Sequence, residues 1–184
     1  MMMQASALLV IDVQHAFLDA KWGNRNNPQA EENIGTLLAH WRQQQWPVVH
    51  IQHTSDDVTS LFHPSNDGFA FKDVATPLAH EPIFTKKVNS AFIGTNLEAY
   101  LRDHHLTSVV ICGLTTPHCV STTTRMSGNL GFQTKIVADA TAAFDLFNHE
   151  GKLMTAEAVH HAALTELHHE FAQIVTTEEL IKKR

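Results

Sequence analysis

Short apolar runs alternate along the chain with longer amphipathic stretches, which is the pattern of an α/β fold with a mostly parallel sheet. The run at residues 7–13 is almost wholly apolar, as expected of a parallel strand covered on both faces. Five more strands are predicted at Val48–His53, Ile83–Lys86, Ser108–Leu114, residues 135–138 and Gln173–Val175. Helices are predicted between them, at residues 29–45, 95–105, 118–130 and 152–169.

One stretch, residues 54–82, departs from this alternation. It has no clear period, and it contains three prolines together with Phe62, Phe69 and Phe71. A loop this long in a compact domain usually serves function, so we predict a lid or pocket wall, with a disordered insertion as the alternative. Since the chain shows no repeat and no linker, we expect one domain over residues 1–184.

The charge balance narrows the classes of partner. The chain has 13 Lys and Arg against 19 Asp and Glu, a net charge of −6 with neutral histidines. This sign argues against nucleic acid or an anionic membrane as a partner and favours a small molecule. The 14 histidines would reverse the net charge on full protonation, so assembly is expected to respond to acid.

The cellular compartment is predicted from signals for secretion, membrane insertion and disulfide formation, which the following segments do not show. Residues 1–4 carry no basic segment of a signal peptide, and the charge-free stretch at residues 106–124 is broken by Gly, Pro and many Ser and Thr. Cys112 and Cys119, seven positions apart, cannot form a disulfide framework or a zinc ribbon. We therefore expect a reduced, cytoplasmic protein.

Three reactive side chains fall at or just beyond the carboxyl ends of predicted strands, where parallel sheets bind ligands. These are Asp12, Lys86 and Cys119. A cysteine is nucleophilic as a thiolate, which a helix N-terminus and a nearby lysine favour. Asp12 could take the thiol proton and return it to a leaving amine. Backbone N–H groups of the turn before Cys119 could stabilise an oxyanion.

Each of these residues also has a structural interpretation. Asp12 could cap a turn, and either Lys86 or Lys87 could be a solvated charge. A cysteine near a strand end is most often a small buried apolar residue, an interpretation that fits Cys112 better than Cys119. A lone reactive cysteine could also serve as a thiol sensor.

Three motifs in order resemble the isochorismatase-like cysteine hydrolase superfamily, which includes nicotinamidases, N-carbamoylsarcosine amidohydrolases and isochorismatases. They read Asp12-Val-Gln14-His-Ala-Phe17, Lys86-Lys-Val-Asn-Ser-Ala-Phe92 and Gly113-Leu-Thr115-Thr-Pro-His-Cys119. The resemblance implies a three-layer α/β/α sandwich with a six-stranded sheet. It also implies a catalytic triad of Asp12, Lys86 and Cys119, and it selects Lys86 over Lys87.

The resemblance further implies a non-proline cis peptide at Leu114–Thr115 and an oxyanion hole formed by the N–H groups of Thr115 and Cys119. Nicotinamidases of similar sequence bind a divalent cation through an Asp-x-His pair after the second strand. Here that region reads His53-Thr-Ser-Asp56-Asp57, without the pair. We therefore expect no metal and no cofactor.

The resulting hypothesis is a cysteine hydrolase that cleaves a C–N bond of a small amide, lactam or ureido compound. Vinyl-ether hydrolysis of the isochorismatase type and a non-catalytic or sensor role are the alternatives. Relatives are commonly oligomeric, so a homodimer or homotetramer is expected. His118 is either a hydrogen-bond partner within the site or exposed. Substrate-binding residues are expected to be Gln14, Phe17, Trp22, Phe62, His63, Phe92 and Thr116.

Overall fold

The computed structural model describes residues 6–182. Its main sheet contains six strands, which are β1 (Ala7–Ile11), β2 (Val48–His53), β3 (Ile83–Lys86), β4 (Ser108–Leu114), β5 (Gln133–Ala142) and β8 (Gln173–Val175). All six are parallel, in the order β3-β2-β1-β4-β5-β8. The predicted six-stranded sheet and α/β fold are confirmed.

Helices cover both faces of this sheet, which gives the three layers. The helices are α1 (Ala30–Gln43), α2 (Leu97–Asp103), α3 (Ser121–Asn129), α4 (Ala156–Leu167) and α5 (Thr177–Ile181). Leu8 and Val10 of β1 face the side covered by α1, while Leu9 and Ile11 face the side of α2 and α4. Because β1 is buried on both faces, its sequence carries no polar position.

The close pairing of β1 with β4 depends on a glycine. Gly113 lies opposite Ile11 in the register, and a Cβ atom there would come within 2.1 Å of the Ile11 carbonyl oxygen. Its φ of +120° is also one that other residues rarely adopt. Gly113 therefore lets the carboxyl ends of β1 and β4 approach each other, which brings the residues that follow these strands together.

Several predicted boundaries change in the structure. β1 ends at Ile11, two residues early, because the chain turns at Asp12, which has a φ of 49°. The predicted helix at residues 118–130 is divided into a π-helical turn, Thr116–Val120, and α3. A two-stranded hairpin of β6 (Leu146–Phe147) and β7 (Leu153–Met154) precedes α4, where helix was expected from residue 152.

The loop at residues 54–82 packs against the carboxyl end of β1. It contains two 3-10 turns, Asp67–Phe69 and Asp73–Ala75. The Gln14 side chain donates a hydrogen bond to the Phe69 carbonyl oxygen over 2.8 Å, and the N–H of Lys72 donates one to the carbonyl of Val13 over 2.9 Å. These bonds attach the loop to the sheet as a wall beside the strand ends. Among residues 6–182, no helix combines the length and apolar character that a membrane crossing requires.

Candidate active site

Asp12, Lys86 and Cys119 meet at the carboxyl edge of the sheet, although they are far apart in sequence. Asp12 follows β1, Lys86 ends β3, and Cys119 lies in the π-helical turn after β4. Lys86 Nζ donates a hydrogen bond to Asp12 Oδ2 over 2.7 Å, and both side chains are almost fully buried. The structure thus brings the three predicted residues together.

The Asp12 carboxylate is only half satisfied. Lys86 occupies Oδ2, whereas Oδ1 is buried without a hydrogen-bond partner among residues 6–182. Burial raises the pKa of Asp12 above its ordinary value, and the charge and hydrogen bond of Lys86, with a smaller contribution from the neighbouring Cys119 thiol, oppose this shift only in part. Oδ1 is therefore a buried acceptor that is free to take a proton.

The Cys119 thiol lies close to this carboxylate. A carboxylate oxygen of Asp12, Sγ of Cys119 and a ring nitrogen of His53 are all within 4.8 Å of one another. Burial raises the pKa of Cys119 to about 12, and the negative charge of Asp12 adds to the shift while Lys86 opposes it. At neutral pH the resting thiol is protonated, so it needs a base, and Asp12 is beside it.

Cys119 opens onto a cavity of about 230 Å³. Its aromatic wall comes from Phe17, Trp22 and Phe62, with ring centroids 5.3 Å apart for Phe17 and Trp22 and 5.4 Å apart for Phe17 and Phe62. The full lining is Asp12, Phe17, Trp22, His53, Phe62, Asn89, Thr115, His118 and Cys119. A cavity that combines an aromatic wall with several polar side chains suits a small ligand.

The turn between β4 and Cys119 forms another part of the cavity. The peptide bond Leu114–Thr115 is cis, as the resemblance implied. Thr115 Oγ1 and His118 Nδ1 are hydrogen bonded over 2.9 Å, and both residues line the cavity. His118 is thus both a hydrogen-bond partner at the cavity wall and an exposed residue, and partial desolvation of its ring lowers its pKa.

His53 lies on the other side of Lys86. Its Nδ1 is 3.0 Å from Lys86 Nζ, and its ring packs edge-on against Phe62 at 5.0 Å between centroids. Burial, together with the charge of Lys86, lowers the pKa of His53 to about 4. Asp12, His53 and Cys119 carry ligand types that metals prefer, but the Lys86 ammonium already binds both Asp12 and His53. A cation would have to displace that ammonium.

Four of the seven predicted substrate-binding residues do not line this cavity. Gln14 is fully buried. Its side-chain amide donates a hydrogen bond to the His53 carbonyl oxygen and accepts one from the His53 N–H. His63 pairs through Nδ1 with Ser65 within the loop. Two further residues belong to the packing: Phe92 stacks on Phe132, and Thr116 is hydrogen bonded to His160. Phe17, Trp22 and Phe62 do lie in the wall.

Two lining residues were not predicted as site residues from the sequence. Asn89 follows β3, and its Oδ1 accepts a hydrogen bond from Cys119 Sγ over 3.6 Å. His53 is the last residue of β2. Both positions satisfy the strand-end rule that selected Asp12 and Lys86, so the same rule, applied to every strand end, would have included them.

Comparisons with known proteins agree with this architecture. Residues 6–179 match the isochorismatase domain family. The chain is 56% identical over 180 residues, 98% of this chain and 96% of the relative, to the uncharacterized isochorismatase family protein YrdC of Bacillus subtilis (strain 168). It is 29% identical over 140 residues to a streptothricin hydrolase of Streptomyces noursei, covering 76% of this chain and 50% of that relative.

A solved structure extends the similarity to three dimensions. An isochorismatase-family protein from Chromobacterium violaceum superimposes with a TM-score of 0.95 at 38% identity, covering 96% of this chain and 92% of that chain. The family match spans nearly all of the described residues, including the three strand ends that carry Asp12, Lys86 and Cys119. The chain therefore belongs to the isochorismatase family of hydrolases.

Proposed function

We propose that this protein is a cysteine hydrolase that cleaves the C–N bond of a small amide, lactam or ureido compound through a thioester on Cys119. The observation that carries the proposal is the free Oδ1 of Asp12 beside a protonated, buried thiol. A buried carboxylate that served structure alone would be expected to have both oxygens satisfied. Here one oxygen is held by Lys86, and the other is available for proton transfer.

In the acylation step, Asp12 takes the Cys119 proton and the sulfur attacks the substrate carbonyl carbon, forming a C–S bond. The N–H groups of Thr115 and Cys119 are proposed to stabilise the oxyanion. As the tetrahedral intermediate collapses, the C–N bond breaks and Asp12 gives its proton to the leaving nitrogen. The products of this step are a thioester and an amine or ammonia. Lys86 keeps Asp12 oriented throughout.

In the deacylation step, water attacks the thioester carbonyl carbon while Asp12 accepts a proton from the water. The C–S bond then breaks, and the proton returns from Asp12 to the sulfur. The acid leaves, and the enzyme is restored with a protonated thiol. The raised pKa of Asp12 suits this use, because a carboxyl group that both accepts and donates must not be too weak a base.

The charge of the cavity favours an uncharged substrate over isochorismate, which carries two carboxylates. Among the described residues that line the cavity, none is a lysine or an arginine. Lys86 lies behind the cavity and is paired with Asp12. The pKa of His53 is lowered to about 4, so its ring is neutral at pH 7, and desolvation lowers the pKa of His118 as well. A dianion would be desolvated against aromatic rings without a counter-charge.

The alternative of a thiol sensor is less well supported. Sensor cysteines are accessible and have a low pKa. Cys119 is 8% exposed, and its pKa is raised to about 12. A relative named as a streptothricin hydrolase supports an enzyme as well. Because the nucleophile must be reduced, we place the reaction in the cytoplasm.

The test is hydrolysis of benzamide, nicotinamide and N-carbamoylglycine, measured as released ammonia or amine, and of 2-pyrrolidinone, measured as the primary amino group that ring opening frees, with isochorismate included. Wild type, Cys119→Ala and Cys112→Ala are assayed side by side. We expect release by wild type and Cys112→Ala and none by Cys119→Ala. Turnover of isochorismate alone, by both wild type and Cys119→Ala, would overturn the proposal in favour of vinyl-ether hydrolysis.

A further inference from the structure

His53 has two edges with different surroundings. One edge, at Nδ1, lies 3.0 Å from the ammonium of Lys86, deep in the site. The residue also lines the cavity beside Cys119, where its ring packs against Phe62. Among residues 6–182, Nδ1 is the ring nitrogen that has a hydrogen-bond partner, and Nε2 has none.

The contact with Lys86 fixes the tautomer of this ring. A lysine ammonium can only donate, and Lys86 is paired with the Asp12 carboxylate. Nδ1 must therefore accept, which places the proton of the neutral ring on Nε2. The ring stays neutral at pH 7, because burial and the Lys86 charge lower the pKa of His53 to about 4.

His53 is half-buried and lines the cavity, and its Nε2–H has no partner among residues 6–182, so this donor is available to a molecule that fills the cavity. We propose that His53 binds the substrate directly, its Nε2–H donating a hydrogen bond to an acceptor atom other than the carbonyl oxygen under attack. This inference rests on the proposed function and narrows its substrate class. The substrate is a compact, uncharged carbonyl compound with a second hydrogen-bond acceptor.

Two variants separate the two edges of His53. In His53→Asn the amide reaches the position of Nδ1, so it can still accept from Lys86 but has no group at the position of Nε2. In His53→Gln the amide reaches the position of Nε2, so it can still donate to the substrate but loses the contact with Lys86. A substrate-binding role predicts activity in His53→Gln, whereas a role limited to holding Lys86 predicts activity in His53→Asn.

The kinetic probes are benzamide and its three aza-analogues: picolinamide, nicotinamide and isonicotinamide. They share one shape, and the ring nitrogen of the analogues adds an acceptor at a different place in each. We expect wild type and His53→Gln to prefer one analogue over benzamide by about tenfold in kcat/KM, mainly through KM. His53→Asn should lose this preference. An equal preference in wild type and His53→Asn would overturn the inference.

Nitrogen-15 NMR of the His53 ring gives a readout that needs no substrate. We expect the neutral Nε2–H tautomer at pH 7, and its persistence down to about pH 5. An Nδ1–H tautomer or an imidazolium ring at pH 7 would overturn the inference even if the amides are hydrolysed. Conversely, the expected tautomer without turnover of any amide, lactam or ureido compound would contradict the proposed function, whereas the placement of the ring proton on Nε2 would stand.

Discussion

Two buried carboxylates, one at the amino ends of the strands and one at the carboxyl ends, differ in how many hydrogen bonds they accept. Glu81, just before β3, accepts hydrogen bonds from Arg42 Nε at 2.8 Å and Nη2 at 2.9 Å, from the Leu78 N–H at 2.8 Å, and pairs with His50 Nε2 at 2.9 Å. Asp12, just after β1, accepts from Lys86 and leaves Oδ1 without a partner among residues 6–182.

The pKa values follow from this difference. Burial opposes ionisation of both groups. At Glu81 the hydrogen bonds from Arg42 and Leu78 outweigh it and lower the pKa to about 2. At Asp12 one lysine does not outweigh it, and the pKa is raised. A carboxylate whose two oxygens are both hydrogen bonded forms a structural ion pair. A carboxylate with one oxygen left free keeps the capacity to move a proton. The comparison can be tested at both ends of the sheet.

The largest effect is expected from replacing one of the two cysteines, because Cys119 lines the cavity with Asp12 and Cys112 does not. Cys119→Ala should lower kcat at least about 10⁴-fold, because no other group can form the thioester. Cys112→Ala should keep activity within about threefold, because Cys112 is fully buried in β4 and does not line the cavity. Steady-state amide hydrolysis measures both. Comparable losses in the two variants would contradict the assignment of the nucleophile.

The two carboxylates should respond in opposite ways to loss of charge. Asp12→Asn should reduce kcat about 10³-fold while the circular dichroism spectrum is retained, because the amide can still accept from Lys86 but cannot carry the proton. Glu81→Gln should keep kcat within about threefold. Full hydrolysis by Asp12→Asn would refute the role of Asp12 as the base.

Asp12→Asn should also change the reactivity of the Cys119 thiol toward alkylation, and here we expect an increase, in contrast to the loss of kcat. Burial is the main cause of the raised pKa of Cys119, and the Asp12 charge adds to it while Lys86 lowers it. Without the Asp12 charge the pKa of Cys119 falls, and more thiolate exists at pH 8. We expect iodoacetamide to alkylate Cys119 about tenfold faster in Asp12→Asn than in wild type. Slower alkylation would contradict this account of the thiol pKa.

The smallest effect is expected in the stability of the Glu81 cluster. Glu81→Gln should lose about 2 kcal/mol of unfolding free energy, which is about 4–8 °C in Tm for a chain of this size. Since the folded pKa of Glu81 is about 2 against 4.5, its contribution is complete above pH 4.5 and is lost as the pH falls from 4.5 to 2. The difference in Tm between wild type and Glu81→Gln should therefore be clearly smaller at pH 3 than at pH 7. A constant difference would contradict the assignment.

The fold was predictable because its strands are buried on both faces and read as apolar runs. The helix α5 was missed, although Thr176 and Glu179 form a capping box that the sequence shows as Thr-x-x-Glu. The hairpin of β6 and β7 has two-residue strands, too short to leave a pattern. Local pattern thus predicted the sheet and its long helices but not the short elements around them.

The site was predictable to the extent that strand ends converge. This rule, together with the sequence resemblance, placed Asp12, Lys86 and Cys119 at one edge. It could not show that the Gln14 amide is consumed by backbone groups, or that Thr116 is hydrogen bonded to His160, because those contacts join residues remote in sequence. Cavity lining depends on such tertiary contacts.

The central claim is that Cys119 becomes covalently acylated during turnover. The most direct measurement is acid quenching of wild type with the most active amide of the panel, followed by peptide mass analysis. We predict an acyl mass on the peptide that contains Cys119, removable by hydroxylamine and absent in Cys119→Ala. Turnover at full rate with no acyl group on Cys119, or with Cys119→Ala as active as wild type, would contradict the account.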